Sequence, residues 1–193
     1  LQREKIFLET KLWPSFYEQP GAVDKTLARL DTPYIDLLLI HQPFGDYYGT
    51  YRAMEELYRA GRVRAIGVSN FLPHHLENLL EVCTVPPMVD QIEFHPGYVQ
   101  WETVEFCRAS QILVEAWSPL GRQRLADDPL LAELAGKYGV SQAQICLRFA
   151  LDCGVVPLPK SADAGRMRQN LALDFALEAE DLERLRTMPQ TGW

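Results

Sequence analysis

Six apolar runs of strand length alternate with stretches of helical periodicity along this chain of 193 residues. The clearest run covers residues 34–41 and is almost continuously apolar, which is typical of a parallel strand buried on both faces. Alternating strands and helices indicate a parallel α/β sheet, either doubly wound or closed into a (β/α)8 barrel. No G-x-G-x-x-G sequence follows a predicted strand, so the dinucleotide-binding doubly wound fold loses its main support.

The predicted elements account for six βα units. Helix starts are indicated by Asp128, which precedes a proline, and by Ser141, which opens a capping-box sequence, while Gly61 and Gly139 indicate helix ends. A full barrel needs about 250 residues, or roughly 31 per unit, so this chain falls short by about two units. We therefore expect residues 1–193 to be a single barrel domain whose first two βα units lie upstream of Leu1. The predicted strands lie at 6–8, 34–41, 63–69, 89–93, 112–117 and 155–160, and the predicted helices at 20–30, 50–60, 73–82, 101–109, 129–138, 142–153, 164–171 and 180–187.

Composition excludes several classes of protein. Hydrophobic residues make up 47% of the chain and charged residues 23%, as in ordinary globular domains, and the net charge of −7 argues against a nucleic-acid partner. No apolar stretch approaches the roughly 18 residues of a membrane span, and the opening residues lack the apolar region of a signal peptide. Four cysteines without a C-x-x-C pair predict reduced thiols in a cytoplasmic protein, and no histidine has zinc-like spacing to a cysteine.

Uncommon polar or aromatic residues stand where the predicted strands end. The carboxyl ends of barrel strands meet at one face, and active sites of such barrels lie there. Such residues at the ends of six consecutive strands predict a shared ligand site at that face. The residues concerned are Lys11, His41, Ser69–Asn70, Asp90–Gln91, Trp117–Ser118 and Lys160–Ser161.

These segments, in this order, resemble the aldo-keto reductases, and the resemblance covers the whole chain. It implies a (β/α)8 barrel that uses NADPH to reduce a small aldehyde or ketone to an alcohol, as the small bacterial members do. The matching segments are I-F-L-E-T-K-L-W at 6–13, D-L-L-L-I-H at 36–41, G-V-S-N-F at 67–71, Q-I-E-F-H-P at 91–96, A-W-S-P-L-G at 116–121 and P-L-P-K-S at 157–161.

The resemblance implies that Lys11 and His41 are the last two members of the family's catalytic Asp, Tyr, Lys and His. The aspartate and tyrosine should lie on an upstream segment, because no tyrosine of this chain has the matching context. Lys11 would lower the pKa of that tyrosine, and a neutral His41 would donate a hydrogen bond to the substrate carbonyl. Trp13 matches a wall of the substrate pocket. Gln42 replaces a tryptophan that is frequent in the family, which implies a more polar pocket.

The resemblance also implies a complete cofactor site. Ser69, Asn70 and Gln91 would hold the nicotinamide carboxamide, and the Trp117 ring would stack on the nicotinamide. Ser118, Leu120 and Gly121 match the loop beside the pyrophosphate. Arg166 would bind the phosphate at the adenosine end of the cofactor, and Gln169 and Asn170 would contact the edge of the adenine. Lys160 and Ser161 complete this part of the site. This chain differs from the family at two positions. It has Asp90 where the family often has asparagine, and Gln169 where the family often has glutamate.

Two other functions stay open at this point. The chain could be a non-catalytic NADPH-binding scaffold or sensor, in which Lys11 and His41 are idle. A Schiff-base aldolase barrel built on Lys11 or Lys160 is the other alternative, because a lysine amine can attack a carbonyl carbon. Turnover of NADPH with an aldehyde separates the first alternative from the reductase, and borohydride trapping reveals the second.

Overall fold

In the computed structural model, which describes residues 2–16, 19 and 21–190, six strands alternate with helices, as the sequence predicts. Pro20, where the first helix is predicted to begin, lies outside the described residues, as do Leu1 and Trp193. The strands are β1 (Glu9–Leu12), β2 (Leu37–Ile40), β3 (Ile66–Ser69), β4 (Val89–Glu93), β5 (Leu113–Trp117) and β6 (Val156–Pro157). The helices are α1 (Ala22–Leu30), α2 (Tyr47–Arg59), α3 (Pro73–Val82), α4 (Trp101–Ala109), α5 (Pro129–Tyr138), α6 (Gln142–Asp152), α7 (Ala164–Leu171) and α8 (Ala179–Arg186).

The strands belong to one parallel sheet in which spatial order follows chain order from β1 to β6. Lys11 pairs with Leu39, Leu38 pairs with Ile66, and Glu115 pairs with Val156. A doubly wound sheet reverses its order at a switch point, whereas successive βα units of a barrel add strands in one direction. The observed order therefore confirms the barrel-type α/β fold and removes the doubly wound alternative.

Contacts between residues divide the chain into two compact units. The first contains residues 1–90 and 105–113, and the second contains residues 91–104 and 114–193. β1, β2 and β3 belong to the first unit, and β6 and all of β5 except Leu113 belong to the second. The single barrel domain that the sequence indicates stays a prediction.

Local sequence signals explain most helix boundaries. The Asp128 carboxylate accepts hydrogen bonds from the N–H groups of Leu130 and Leu131, and Ser141 and Gln144 form the predicted capping box. These contacts satisfy N–H groups that a helix start leaves without a partner inside the helix. α2 begins at Tyr47, earlier than predicted, because Asp46 caps it through the N–H of Gly49.

Two strands differ from their predicted positions. The predicted strand at 6–8 starts at Glu9 instead, and the Phe7 side chain is 69% exposed. Lys11 consequently lies within β1 and not beyond its end. The sixth strand has two residues instead of six, because Pro157 and Pro159 cannot donate backbone hydrogen bonds to a neighbouring strand.

The core of the first unit is built around β2. All four β2 residues are buried, as its continuous apolar sequence predicts. Before this strand, the buried Asp36 carboxylate accepts hydrogen bonds from Arg3 at 2.7 Å and Arg64 at 3.2 Å. Both guanidinium groups also stack on the Tyr34 ring, at 3.9 Å and 3.7 Å from its centroid. This cluster anchors the start of β2, at the opposite end from His41.

Candidate active site

Lys11 and His41 lie on neighbouring strands of the first unit. Lys11 pairs with Leu39 in the β1–β2 register, and the His41 N–H donates to the Leu12 carbonyl at 3.0 Å. Burial of the imidazole lowers the pKa of His41, and the positive charge of Lys11 lowers it further. The ordinary pKa of histidine is about 6.5, so His41 is neutral at physiological pH. A neutral imidazole of this kind can donate one ring N–H to a carbonyl oxygen without carrying charge into the site.

Trp13 contacts His41 directly. The two rings meet edge to face, with centroids 4.7 Å apart and an interplanar angle of 85°. Trp13 follows β1 and its side chain is 52% exposed. Its position against the imidazole is consistent with its predicted place in the wall of a substrate pocket.

Ser69 and Asn70 form a tight turn at the end of β3. Ser69 is fully buried, and Asn70 has a left-handed backbone with φ of 63°, which asparagine tolerates better than most residues. The Asn70 Nδ2 donates to the His41 carbonyl at 3.1 Å and to the Ser69 hydroxyl at 3.2 Å. These bonds connect Ser69 and Asn70, two of the three predicted carboxamide-binding residues, to the histidine strand within the first unit.

Asp90 is a buried carboxyl group next to this turn. Its Oδ1 atom lies 3.5 Å from the Phe71 N–H and its Oδ2 atom 4.0 Å from the Cys107 thiol, and the residue has no exposed surface. Burial raises the pKa of Asp90 to about 8, although the Phe71 N–H acts in the opposite direction. Where the family often has asparagine, this chain therefore buries a group that keeps its proton at neutral pH.

Gln91 lies in the second unit, where its side chain contacts a residue that the strand-end pattern does not reveal. The Gln91 Nε2 donates to the Glu115 carboxylate at 2.9 Å, and both residues are buried. Glu115 lies in the middle of β5 between apolar residues. A charged residue at such a position is itself a signal, because a buried carboxylate needs a hydrogen-bond partner.

Trp117 ends β5 and leads into a strained loop. Ser118 has φ of 50° and Gly121 has φ of 64°, and a Cβ atom at Gly121 would lie 2.7 Å from the Leu125 side chain.

The Arg122 guanidinium lies over the Trp117 ring, 4.9 Å from its centroid, and its Nε donates to the Ser118 hydroxyl at 2.9 Å. Arg122 was not predicted from the sequence, and it adds a positive charge to the loop that matches the pyrophosphate position. Leu120, the remaining predicted residue of this loop, precedes Gly121 and is half-buried.

The residues predicted at the adenosine end lie before α7 or within it: Lys160 and Ser161 precede the helix, Arg166 lies in its first turn, and Gln169 and Asn170 lie in its last turn. The Asp163 carboxylate caps this helix by accepting from the Arg166 N–H at 2.7 Å, and the Asp163 N–H donates to Ser161 at 3.1 Å. Lys160, Arg166 and Gln169 are exposed, and Ser161 and Asn170 are half-buried.

Each unit by itself carries donor groups that suit part of a nicotinamide dinucleotide phosphate. Amide side chains at Asn70 and Gln91 suit a carboxamide, since each offers both donors and an acceptor. The Trp117 ring suits a flat heterocycle, and the cations Lys160 and Arg166 suit a phosphate. Among the described residues, no group of three His, Cys, Asp or Glu side chains could hold a metal ion. None of the helices within that part of the chain is long and apolar enough to cross a membrane.

Comparison with known proteins identifies the family. The family model described as "Aldo/keto reductase family" matches residues 1–188, so the chain belongs to the aldo-keto reductases. Glyoxal reductase of Bacillus subtilis is 45% identical over 188 residues, which are 95% of this chain and 68% of that protein.

Solved structures of the family cover this chain almost completely. An aldo/keto reductase from Brucella melitensis is 41% identical with a TM-score of 0.90, over 96% of this chain and 74% of that one. The Bombyx mori aldo-keto reductase AKR2E4 in complex with NADP is 34% identical with a TM-score of 0.93, over 100% of this chain and 71% of that one. The predicted family and fold class are confirmed.

Proposed function

We propose that this chain serves the NADPH-dependent reduction of an aldehyde or ketone to an alcohol by hydride transfer. The observation that carries the proposal is the Lys11–His41 pair, in which burial and then the lysine charge lower the pKa of the imidazole that follows β2. Family membership and the NADP complex of a Bombyx mori relative support the cofactor.

The two catalytic residues have separate tasks. When bound, the cofactor supplies the hydride that adds to the carbonyl carbon. His41 donates its ring N–H to the carbonyl oxygen, which orients the substrate and stabilises the negative charge that develops there. Lys11 lowers the pKa of the proton-donating tyrosine that the family resemblance places beside it, so that the proton is transferred more readily.

The remaining site residues hold the cofactor. Asn70 and Gln91 bind the carboxamide together with the Ser69 hydroxyl, and Trp117 provides the stacking surface. Ser118, Leu120 and Gly121 form the loop at the pyrophosphate, where Arg122 adds a cation. The adenosine phosphate and the adenine are held by Lys160, Ser161, Arg166, Gln169 and Asn170.

The substrate class is a small, polar carbonyl compound such as a 1,2-dicarbonyl. Glyoxal reductase of Bacillus subtilis, at 45% identity, supports this choice. Gln42, which follows the catalytic histidine, places an amide where an aromatic ring is frequent in the family. An amide offers two N–H donors and an acceptor, whereas an indole offers a single N–H donor, so Gln42 gives the pocket more hydrogen-bonding capacity toward the two oxygens of a dicarbonyl substrate.

Turnover with defined substrates tests this function. Full-length protein with NADPH is expected to consume the cofactor, measured as loss of absorbance at 340 nm, with glyoxal and with a simple aldehyde. Binding of NADPH without turnover of any carbonyl would identify a scaffold or sensor instead. Covalent trapping of a carbonyl compound by borohydride on Lys11 or Lys160 would identify a Schiff-base enzyme.

Arg166→Ala is expected to weaken the binding of NADPH much more than the binding of NADH. Arg166 is exposed in the first turn of α7, and charge-assisted hydrogen bonds to phosphate are worth roughly 1.5–3 kcal/mol each. The dissociation constant of NADPH should therefore rise about 10- to 100-fold, while that of NADH changes less than about twofold. Isothermal titration calorimetry measures both constants.

Arg168→Ala is the matched control for this variant, because Arg168 is another exposed arginine of α7. It should leave both dissociation constants within about twofold. Equal losses for NADPH and NADH in Arg166→Ala would contradict the assignment of this residue to the phosphate.

We also propose a cytoplasmic location. Cys107, Cys146 and Cys153 are buried, and burial raises the pKa of Cys107 and Cys146. Buried, protonated thiols are unreactive core residues of the kind found in reducing compartments.

A further inference from the structure

His75 lies in the first turn of α3 and bonds to the turn of residues 69–72 that follows β3. Its Nδ1 atom accepts a hydrogen bond from the Leu72 N–H at 3.1 Å, and its Nε2 atom lies 3.1 Å from the Nε2 atom of His74. A backbone N–H can only donate, so the Nδ1 atom of His75 carries no proton. The neutral ring therefore has its proton on Nε2, from which it donates to His74.

The turn after β3 carries Asn70 of the proposed cofactor site. The positive φ angle of Asn70 is a conformation that the surrounding structure has to hold in place. Side chains from other elements lie against successive N–H groups of this turn. Asp90 Oδ1 lies 3.5 Å from the Phe71 N–H, and His75 accepts from the Leu72 N–H. The cap of α3 therefore also holds the turn that presents Asn70.

The His75 ring packs against aromatic rings of this turn and of α2. Its centroid is 5.7 Å from that of Phe71 and 6.4 Å from that of Tyr47. The Tyr47 hydroxyl bonds to that of Tyr48, and burial raises the pKa of Tyr47 to about 12, so this group stays neutral in acid. Burial of the imidazole lowers the pKa of His75, and the charge of His74 lowers it further. His75 is therefore neutral at physiological pH and gains a proton only below its ordinary pKa of about 6.5.

The carboxyl groups of the neighbouring elements have other tasks. Asp46 begins α2 and accepts from the Gly49 N–H at 2.8 Å. The pKa of Asp90 is raised to about 8 by burial, so Asp90 keeps its proton between pH 5 and pH 7. The bond to the Leu72 N–H is made by His75, so protonation of His75 is the event that breaks it.

We propose that His75 is a positioning residue whose protonation in acid releases the turn after β3 and thereby weakens binding of the nicotinamide cofactor. This inference rests on the proposed function and adds a pH dependence to cofactor affinity. A protonated His75 places a second donor against the Leu72 N–H, and its positive charge lies at the N-terminal end of α3, where the helix dipole disfavours a cation. Fewer molecules then hold the turn in the binding conformation, so the apparent dissociation constant rises.

Two substitutions at this position separate the acceptor from the ring. In His75→Glu, a carboxylate accepts from the same N–H, as in the usual capping box, and stays largely ionised at pH 5. In His75→Phe, an aromatic ring remains beside Phe71 and Tyr47 but offers no acceptor.

The probes are NADP+, which is stable in acid, and adenosine 2′,5′-bisphosphate, which lacks the nicotinamide. Both carry the 2′-phosphate, which titrates near pH 6, so its contribution cancels in the ratio of the two dissociation constants. His41 titrates in the native protein and in every variant, so its contribution cancels when they are compared.

The expected result is a change in this ratio, taken as the dissociation constant of NADP+ divided by that of the bisphosphate. From pH 7 to pH 5 it should rise about 3- to 10-fold more in the native protein than in His75→Glu. At pH 7 the ratio for His75→Glu should lie within about twofold of the native value. His75→Phe should show the raised ratio already at pH 7. Isothermal titration calorimetry measures both constants without turnover.

His74→Gln is the matched control, because His74 is the adjacent, exposed histidine of α3. It should keep the full change between pH 7 and pH 5. The midpoint of the change should move to higher pH, because the charge that opposes protonation of His75 is gone. NMR of the Leu72 amide follows the cap without any cofactor. Its chemical shift should titrate in the native protein with the midpoint of the binding change, and should stay constant in His75→Glu.

Four results would overturn the inference. Equal pH changes in the native protein and His75→Glu assign the dependence to another group. Parallel losses for NADP+ and the bisphosphate in His75→Phe show that His75 only supports the fold. A Leu72 amide shift that ignores pH shows that protonation leaves the cap intact. Failure of the native protein to bind NADP+ at either pH overturns the proposed function and this inference with it, whereas the first three results leave the proposed function standing.

Discussion

Asp90→Asn is expected to raise the free energy of unfolding on the order of 4 kcal/mol at pH 7, because the native chain buries a carboxyl group with a raised pKa. In the unfolded chain the pKa of an aspartate is about 3.9. Between pH 4 and pH 8 the folded protein therefore holds one proton that the unfolded chain has released. The stability contributed by this group consequently falls as the pH rises through that range. An asparagine side chain does not ionise, so the free energy of unfolding of the variant does not fall for this reason as the pH rises.

The pH dependence distinguishes this cause from better packing. Urea denaturation at pH 4, 5.5, 7 and 8 should give a stability difference near zero at pH 4 that grows toward pH 8. Asp174→Asn removes an exposed carboxylate and should change stability by less than about 0.5 kcal/mol at every pH. A stability gain that is the same at all four pH values, or a loss at pH 7, would contradict the titration of Asp90.

Elements with local signals could be predicted from the sequence almost to the residue. α3 and α5 have their predicted bounds, since Pro73, Pro129 and the Asp128 cap act within one helical turn. The start of β1 could not be predicted in this way. Ile6 and Phe7 are apolar and read as strand, but pairing with β2 begins only at Glu9, and that register depends on residues almost 30 positions away.

The candidate site shows the same division. Lys11, His41 and Asn70 were expected at one site because parallel strands end at a common edge; in the first unit Lys11 lies within β1, paired with β2, and Asn70 Nδ2 donates to the His41 carbonyl. Arg122 was not predictable, because its position over Trp117 depends on positive φ angles in the loop. The effect of Asp90 depends on complete burial next to Cys107, which no local pattern shows.

Lys11→Met is expected to lower the turnover number of carbonyl reduction about 10²- to 10⁴-fold, the usual contribution of a positioned proton donor. The variant removes the charge that tunes this proton transfer and keeps a side chain of similar length. NADPH binding should change less than about threefold, because the cofactor is held by other residues. Stopped-flow absorbance at 340 nm and a binding titration measure the two effects.

A second effect of Lys11→Met appears at His41 and needs no turnover. The positive charge of Lys11 opposes protonation of the imidazole, so its removal should raise the pKa of His41 toward 6.5, while burial continues to hold it lower. NMR titration of the histidine Cε1 proton, assigned with a His41→Gln variant, measures this pKa directly.

Lys25→Met, at an exposed lysine of α1, should leave both turnover and the His41 pKa unchanged. Normal turnover in Lys11→Met would make the lysine a bystander. An unchanged His41 pKa would show that the two side chains do not interact, and the pair on which the proposed function rests would lose its physical basis.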